Sequence, residues 1–295
     1  MAAPGILLVD KPGGITSHDV VARARRALGT RKIGHAGTLD PMATGLLVLG
    51  VESATRLLTF IVGLGKTYEA TIRLGVATDT DDADGEVIST MDAAALASSA
   101  IHRGIEALTG PISQVPSTYS AIKVDGRRAY DLARAGEDVQ LKAREVIVSR
   151  FEVLAERRDA GIVDLDVVVD CSSGTYIRSL ARDLGAALGV GGHLTALRRT
   201  CIGPFSLDDA SVIDALAEAA LASPADAATA ILGRLDVTAD EARDLRHGKR
   251  LPGAVERLTA SPAAAIDPDG ELVGVVERRG QDVKSTMNMP TGVVR

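Results

Sequence analysis

The stretch from Gly34 to Gly50 holds one carboxylate, Asp40, in a loop that leaves it little freedom. Pro41 pushes Asp40 toward extended dihedrals and has no N–H of its own. Gly37 and Gly45 permit turns, or a close backbone approach, that side chains would block. The apolar run Leu46 to Val51 reads as a buried strand behind the loop. A carboxylate held at the mouth of a buried strand is a candidate catalytic group. The alternative is an ordinary Asp-Pro turn. A second candidate is Arg178, in the segment GTYIRSLARDLG that starts at Gly174. Thr175 can N-cap a helix there, with Ile177, Leu180, Ala181, Leu184 and Leu188 as its core stripe. Arg178 falls in the first turn, off that stripe, where a cation opposes the helix dipole. Its placement suggests a nearby carboxylate, and the competing reading is a solvated surface arginine. Lys11, beside Pro12, could face a phosphate, brace the Asp40 loop, or be a solvated loop lysine.

Between Val115 and Gly136, Tyr119, Lys123, Arg127, Arg128, Tyr130 and Arg134 interleave rings with cations. Such a surface can track phosphates and stack a base; a surface helix would look the same. Two motifs are decoys. Gly63-Leu64-Gly65-Lys66-Thr67 hints at a phosphate loop, but Phe60 stands where its first glycine belongs, and Lys66 and Thr67 run into a strand pattern. Asp79 to Gly85 hints at a calcium loop, but its spacing is off by one and Thr90 occupies the twelfth position. Gly85 instead reads as the turn of a hairpin.

The elements around these residues come from periodicity. Gly5 to Val9 is a strand, and Thr16 or Ser17 can cap a helix whose apolar stripe is Val20, Val21, Ala24 and Leu28. Residues 53–62 read as a short helix. Lys66 to Leu74 alternates, with Tyr68, Ala70, Ile72 and Leu74 on the apolar face. The Ala-rich stretch 92–108 reads as helical, and Val146–Leu154 and Ile162–Cys171 read as strands. Residues 204–233, acidic and Ala-rich, close the first domain with helices. Thr238-Ala239-Asp240-Glu241 is a capping-box start, and Ala264 to Val276 reads as strand, tight turn, strand.

At 295 residues the chain has the length of about two domains. A hydrophobic fraction of 46% and a charged fraction of 24% suit a globular protein with a sizeable core. No apolar run approaches a membrane span, and MAAPGILLVDKPGG lacks the basic start of a signal peptide. Cys171 and Cys201 are far apart and read as reduced thiols of a cytoplasmic protein. The net charge of −6 argues against a nucleic-acid partner, but the charge is segregated. Residues 10–73 carry Lys11, Arg23, Arg25, Arg26, Arg31, Lys32, Arg56, Lys66 and Arg73. Acids dominate residues 206–245, so a basic face on an acidic protein is possible.

Four segments together resemble the TruB-type tRNA pseudouridine synthases: LLVDKPGGITSHDVVARARRAL, HAGTLDPMATGLLVLG, GTYIRSLARDLG and HLTALRRT. The resemblance implies an α/β (α+β) fold: a mixed, mainly antiparallel sheet flanked by helices. Residues 1–233 would form the catalytic domain, with an RNA-gripping thumb-like insertion at about 115–142 that includes Lys123 and Tyr130. Residues 234–295 would form a short PUA-like RNA-binding domain. It further implies isomerisation of uridine to pseudouridine at position 55 of the tRNA T loop, breaking the glycosidic bond at N1 and remaking it at C5. That chemistry needs no cofactor and no metal. Asp40 would be the catalytic carboxylate, ion-paired with Arg178. Tyr68 would stack on the base, Leu197 and Tyr176 would line its pocket, and His35 would fill the gap left by the flipped base. The expected partner is the tRNA T-arm, with no guide RNA and no membrane, and the protein would be a monomer. Competing readings are a tRNA-binding chaperone, a guide-dependent synthase of the dyskerin type, and a nucleotide hydrolase resting on GLGKT alone.

Overall fold

The computed structural model describes residues 2–119, 123–124, 127–128 and 141–290. In chain order, β1 (Gly5–Lys11) leads to α1 (Ser17–Ala27), then to β2 (Ile33–Ala36) and β3 (Thr44–Val51). A 3₁₀ turn (Glu52–Leu57) and α2 (Leu58–Ile61) come after it. Next are β4 (Lys66–Leu74), the hairpin β5 (Val76–Thr78) and β6 (Val87–Thr90), α3 (Ser98–Ala107) and β7 (Gly110–Gln114). Two short strands, β8 (Lys123–Val124) and β9 (Arg127–Arg128), precede the long hairpin β10 (Arg144–Asp159) and β11 (Ile162–Cys171). The chain continues through α4 (Ile177–Ala187), β12 (Gly192–Ile202), β13 (Phe205–Ser206) and β14 (Ser211–Val212). It closes with α5 (Pro224–Leu232), β15 (Arg234–Asp236), α6 (Ala239–Arg246), β16 (Arg250–Leu251), β17 (Ala263–Ile266), β18 (Leu272–Arg279) and β19 (Asp282–Asn288). No helix among the described residues is long and apolar enough to cross a membrane.

The chain divides into two compact units. One comprises residues 1–40, 45–63 and 202–295. Within it β1 pairs antiparallel with β3, from Gly5 opposite Val51 to Lys11 opposite Gly45. β2 adds to the other edge of β3, and β14 runs parallel to β1. Leu7, Val9, Val20, Val21, Ala24, Ile33, Leu47 and Leu49 form the core between this sheet and α1. α1 begins at a capping box: the Thr16 hydroxyl accepts from Asp19 N at 3.1 Å, and the Asp19 carboxylate accepts from Thr16 N at 2.8 Å. The same unit holds a five-stranded sheet in the order β15-β17-β18-β19-β16. Its core is local, built from Leu235, Val237, Leu245, Leu251, Ala263, Val273, Val276 and Val283. Thr238 and Glu241 form the expected capping box of α6.

The other unit, residues 41–44 and 64–201, carries the sheet order β12-β4-β11-β10-β7. The pairs β4–β11, β10–β11 and β7–β10 are antiparallel. Alternation in β4 matches its burial: Tyr68, Ala70, Ile72 and Leu74 lie inward. Lys66 and Thr67 open this strand rather than a helix, so GLGKT does not form a phosphate loop. Residues 79–86 connect the β5–β6 hairpin.

Three local expectations need correction. Residues 53–62 form a 3₁₀ turn and one α turn rather than one helix. The Ala-rich helix begins only at Ser98, because the Asp92 carboxylate accepts from Ala94 N at 2.8 Å and holds a turn there. Thr175 does not cap α4; its hydroxyl donates to Ser172 O at 3.0 Å, and Tyr176 occupies the N-cap position. α4 also packs against the start of β12 at van der Waals limits. A Cβ on Gly185 would come within 2.2 Å of both Gly191 C and Gly192 N. Gly185→Ala is therefore expected to cost about 3 kcal/mol, because backbone and not a flexible side chain must move. Urea unfolding midpoints check this.

Candidate active site

Asp40 is half-buried in the irregular loop between β2 and β3. The flanking glycines are in left-handed conformations, φ +80° at Gly37 and +99° at Gly45, which other residues rarely adopt. Leu39, immediately before Asp40, is fixed by Ser17. The Ser17 hydroxyl accepts from Leu39 N at 2.9 Å and donates to Leu39 O at 3.2 Å, and Ser17 is 1% exposed. The sequence presents this residue only as a possible helix cap. Thr16 takes the cap, and that turns Ser17 inward. Ser17→Ala is expected to cost about 1–2 kcal/mol, since it leaves the buried Leu39 N–H without this acceptor. Thermal unfolding of the variant checks it.

His35 lies on β2, its ring edge-on to His18 with centroids 5.3 Å apart. Lys11 ends β1 fully buried, its ammonium donating to Pro12 O at 2.8 Å, so it is not a solvated loop lysine.

In the other unit, Tyr68 lies near the start of β4 and is 9% exposed. β12 is the neighbouring strand. The Thr200 hydroxyl donates to Thr67 O, and the Thr195 hydroxyl to Thr71 O. These two bonds bracket Leu197, which places it alongside the segment that carries Tyr68. A cavity of about 500 Å³ opens beside Leu197, lined also by Met42, Thr44, Glu69, Thr71 and Arg198; Tyr68, Tyr176 and Arg178 are not in its wall.

Arg178 is 4% exposed, so it is not the solvated surface arginine of the competing reading. Its guanidinium contacts the Asp82 carboxylate at 3.0 Å, Thr80 O at 3.0 Å and Tyr119 O at 2.8 Å. Asp82, also buried, is an acidic partner that the sequence does not reveal. It lies 96 residues away, in a loop whose only sequence signal is a poor match to a calcium site. The next turn repeats the device: Arg182 meets Asp81 at 3.2 Å and Val115 O at 2.7 Å. Burial pushes the Asp81 carboxyl up despite Arg182. Two arginines of one helix thus hold residues 79–82 and 115–119 against its N-terminal half. Tyr130 lies outside the described residues, and Lys123 is placed by its backbone alone, in β8 opposite Arg128.

Beside Tyr68 on the same face of β4, Lys66 is 8% exposed. Desolvation, helped by the Arg199 charge, lowers its ammonium to about 8. The unfolded chain keeps that proton to the ordinary lysine range. Folding stability therefore rises with pH between about 8 and 10.5 through this group. Lys66→Met is expected to remove that rise, read as the difference between the two proteins' stability–pH profiles.

Residues 25–177 match the family model described as TruB family pseudouridylate synthase (N terminal domain). Residues 178–236 match the tRNA pseudouridylate synthase B C-terminal domain, and residues 232–290 the C-terminal model of tRNA pseudouridine synthase II. The chain belongs to the TruB family of pseudouridine synthases. It is therefore an isomerase by family. It is 59% identical over 295 residues to tRNA pseudouridine synthase B of Leifsonia xyli subsp. xyli (strain CTCB07), covering 98% of each chain. It is also 59% identical to the protein of the same name from Nocardia farcinica (strain IFM 10152), over 94% of this chain and 90% of that one. Among solved structures, a chain of a Cbf5-Nop10-Gar1 complex matches with a TM-score of 0.68 and 26% identity, over 92% of this chain and 78% of that one. A chain of an H/ACA RNP bound to a substrate RNA shares the fold, with a TM-score of 0.70 at 24% identity, over 97% and 85% of the two chains. The expected mixed, mainly antiparallel α/β architecture agrees with these likenesses.

Proposed function

We propose that this chain converts uridine 55 in the T loop of tRNA to pseudouridine, without a cofactor. The observation that carries the proposal is its 59% identity, over 98% of its length, to a protein named tRNA pseudouridine synthase B. The target nucleotide is flipped out of the loop, which costs a few kcal/mol that phosphate contacts and stacking offset. Tyr68 and Leu197 sandwich the uracil, Tyr176 lines the same pocket and His35 fills the vacated stack. Asp40, ionised and paired with Arg178, starts the reaction by attack on ribose or base, or by removing a ribose proton. The uracil N1–C1′ bond breaks, the base turns, C5 bonds to C1′ and gives its proton to solvent, and N1 takes a proton up. Lys11, Lys123 and Tyr130 serve the RNA: the first supports the Asp40 loop, the others grip the T-arm. Residues 1–233 form the catalytic domain, and residues 234–295 add a short RNA-binding module with its own core. The protein works as a cytoplasmic monomer. A guide RNA is not needed, because the relatives that match along nearly the whole chain carry the name tRNA pseudouridine synthase B.

The test is tritium release from a T-arm stem–loop labelled at uridine C5, with an anticodon-arm stem–loop as control. Release from the T-arm alone is the expected result. Release from neither RNA, with folded protein, would remove the stand-alone T-arm reading.

A further inference from the structure

The N-terminus of α4 sets where Arg178 begins, yet the side chain of its N-cap residue, Tyr176, makes no capping hydrogen bond. The first turn of a helix leaves backbone N–H groups in need of acceptors. Here the work falls to Gln114, the last residue of β7, which is 1% exposed. Its Oε1 accepts from Tyr176 N at 2.8 Å, and its Nε2 donates to Tyr176 O at 3.0 Å. A primary amide offers one acceptor and one donor side by side. Gln114 thus pairs with the Tyr176 backbone as a neighbouring strand residue would, and fixes both its position and its rotation. The bonds span 62 residues of sequence, and glutamine is mostly exposed in folded proteins, so a buried one with both amide groups on one backbone unit is a specific tie.

The residues just after Gln114 add two further ties to the same helix. Val115 O accepts from Arg182, and Tyr119 O accepts from Arg178. The segment 114–119 is therefore bound to α4 at Tyr176, Arg178 and Arg182, and of these ties the one from Gln114 acts on the helix backbone. We propose that Gln114 is a positioning residue for the isomerisation: through the Tyr176 backbone it sets the place of Tyr176 and Arg178 and touches no substrate itself. The proposal rests on the functional reading above.

A misplacement of about 1 Å in a catalytic group costs up to about 10²-fold in rate. Gln114→Met keeps length and apolar volume while removing both bonds. It is expected to lower kcat on full-length tRNA about tenfold or more, with KM within about twofold. Gln114→Glu gives a second, internal test. Ionised, its carboxylate repels Tyr176 O; protonated, it again offers one acceptor and one donor. The ratio of its kcat to that of the wild type is expected to rise as pH falls. Arg178 and Arg182 on α4, and Asp81 and Asp82 on the facing loop, are the charged groups present in both proteins. Wild-type kcat in Gln114→Met, or a loss carried by KM, would overturn the proposal. If Gln114→Met does not fold, the Gln114→Glu ratio decides: a rise supports the proposal and a flat ratio overturns it. A wild-type protein inactive on tRNA would refute the substrate reading, not the clamp. Hydrogen exchange of the first-turn amides of α4 then decides: faster exchange in the variant supports the clamp, and unchanged exchange overturns it.

Discussion

Asp40→Asn is expected to lower kcat for pseudouridine formation by at least about 10³-fold while tRNA binding stays within about twofold. Asparagine keeps the shape of the side chain and loses its charge and its basicity. Other residues also shape and hold the loop. Gly37 and Gly45 supply the backbone shape, Ser17 holds Leu39, and buried β3 anchors the far end. Steady-state kinetics and a filter-binding titration on the same tRNA separate the two effects. Loss of binding equal to loss of turnover would mean that Asp40 acts in recognition and not in the chemical step.

The second large effect is expected at Asp82. Asp82→Ala takes from Arg178 a carboxylate at 3.0 Å, in a place where both side chains are about 5% exposed. Removing one partner of a buried ion pair costs about 3–5 kcal/mol, mostly because the remaining charge stays desolvated. The loop loses support too, since the Asp82 carboxylate also accepts from the Thr80 hydroxyl and from Asp84 N. We expect the variant's melting temperature to fall by about 10 °C. Its kcat should fall at temperatures where it remains folded, because Arg178 is no longer oriented from this side. Asp82→Asn, which keeps an acceptor, should recover part of the stability. Calorimetry with kinetics at 20 °C checks both. Wild-type stability in Asp82→Ala would show that the backbone carbonyls of Thr80 and Tyr119 suffice to hold the guanidinium.

What the sequence shows and what it hides divide along physical lines. The Asp40 loop is legible because its neighbours are residues of narrow conformational meaning, and β3 is legible as an uninterrupted apolar run. β4 can be read from its alternation, and α6 from Thr238 and Glu241. These signals are local. The burial of Arg178 is not legible, because helical periodicity places it off the apolar stripe and its partner Asp82 sits on a distant loop. The roles of Ser17 and Gln114 are hidden for the same reason: each binds the backbone of a residue 22 or 62 positions away, and backbone groups carry no sequence signature. The false helix start before Ser98 has a local cause, the Asp92 turn, that composition outweighs.

Isomerisation of one T-loop uridine by this chain alone is checked on an unmodified full-length tRNA transcript with the purified protein and no other RNA. One pseudouridine per tRNA is expected, mapped to position 55 by carbodiimide adduct and primer extension, and none in a transcript with cytidine at that position. Pseudouridine at another position, or product only when a guide RNA is added, would contradict it.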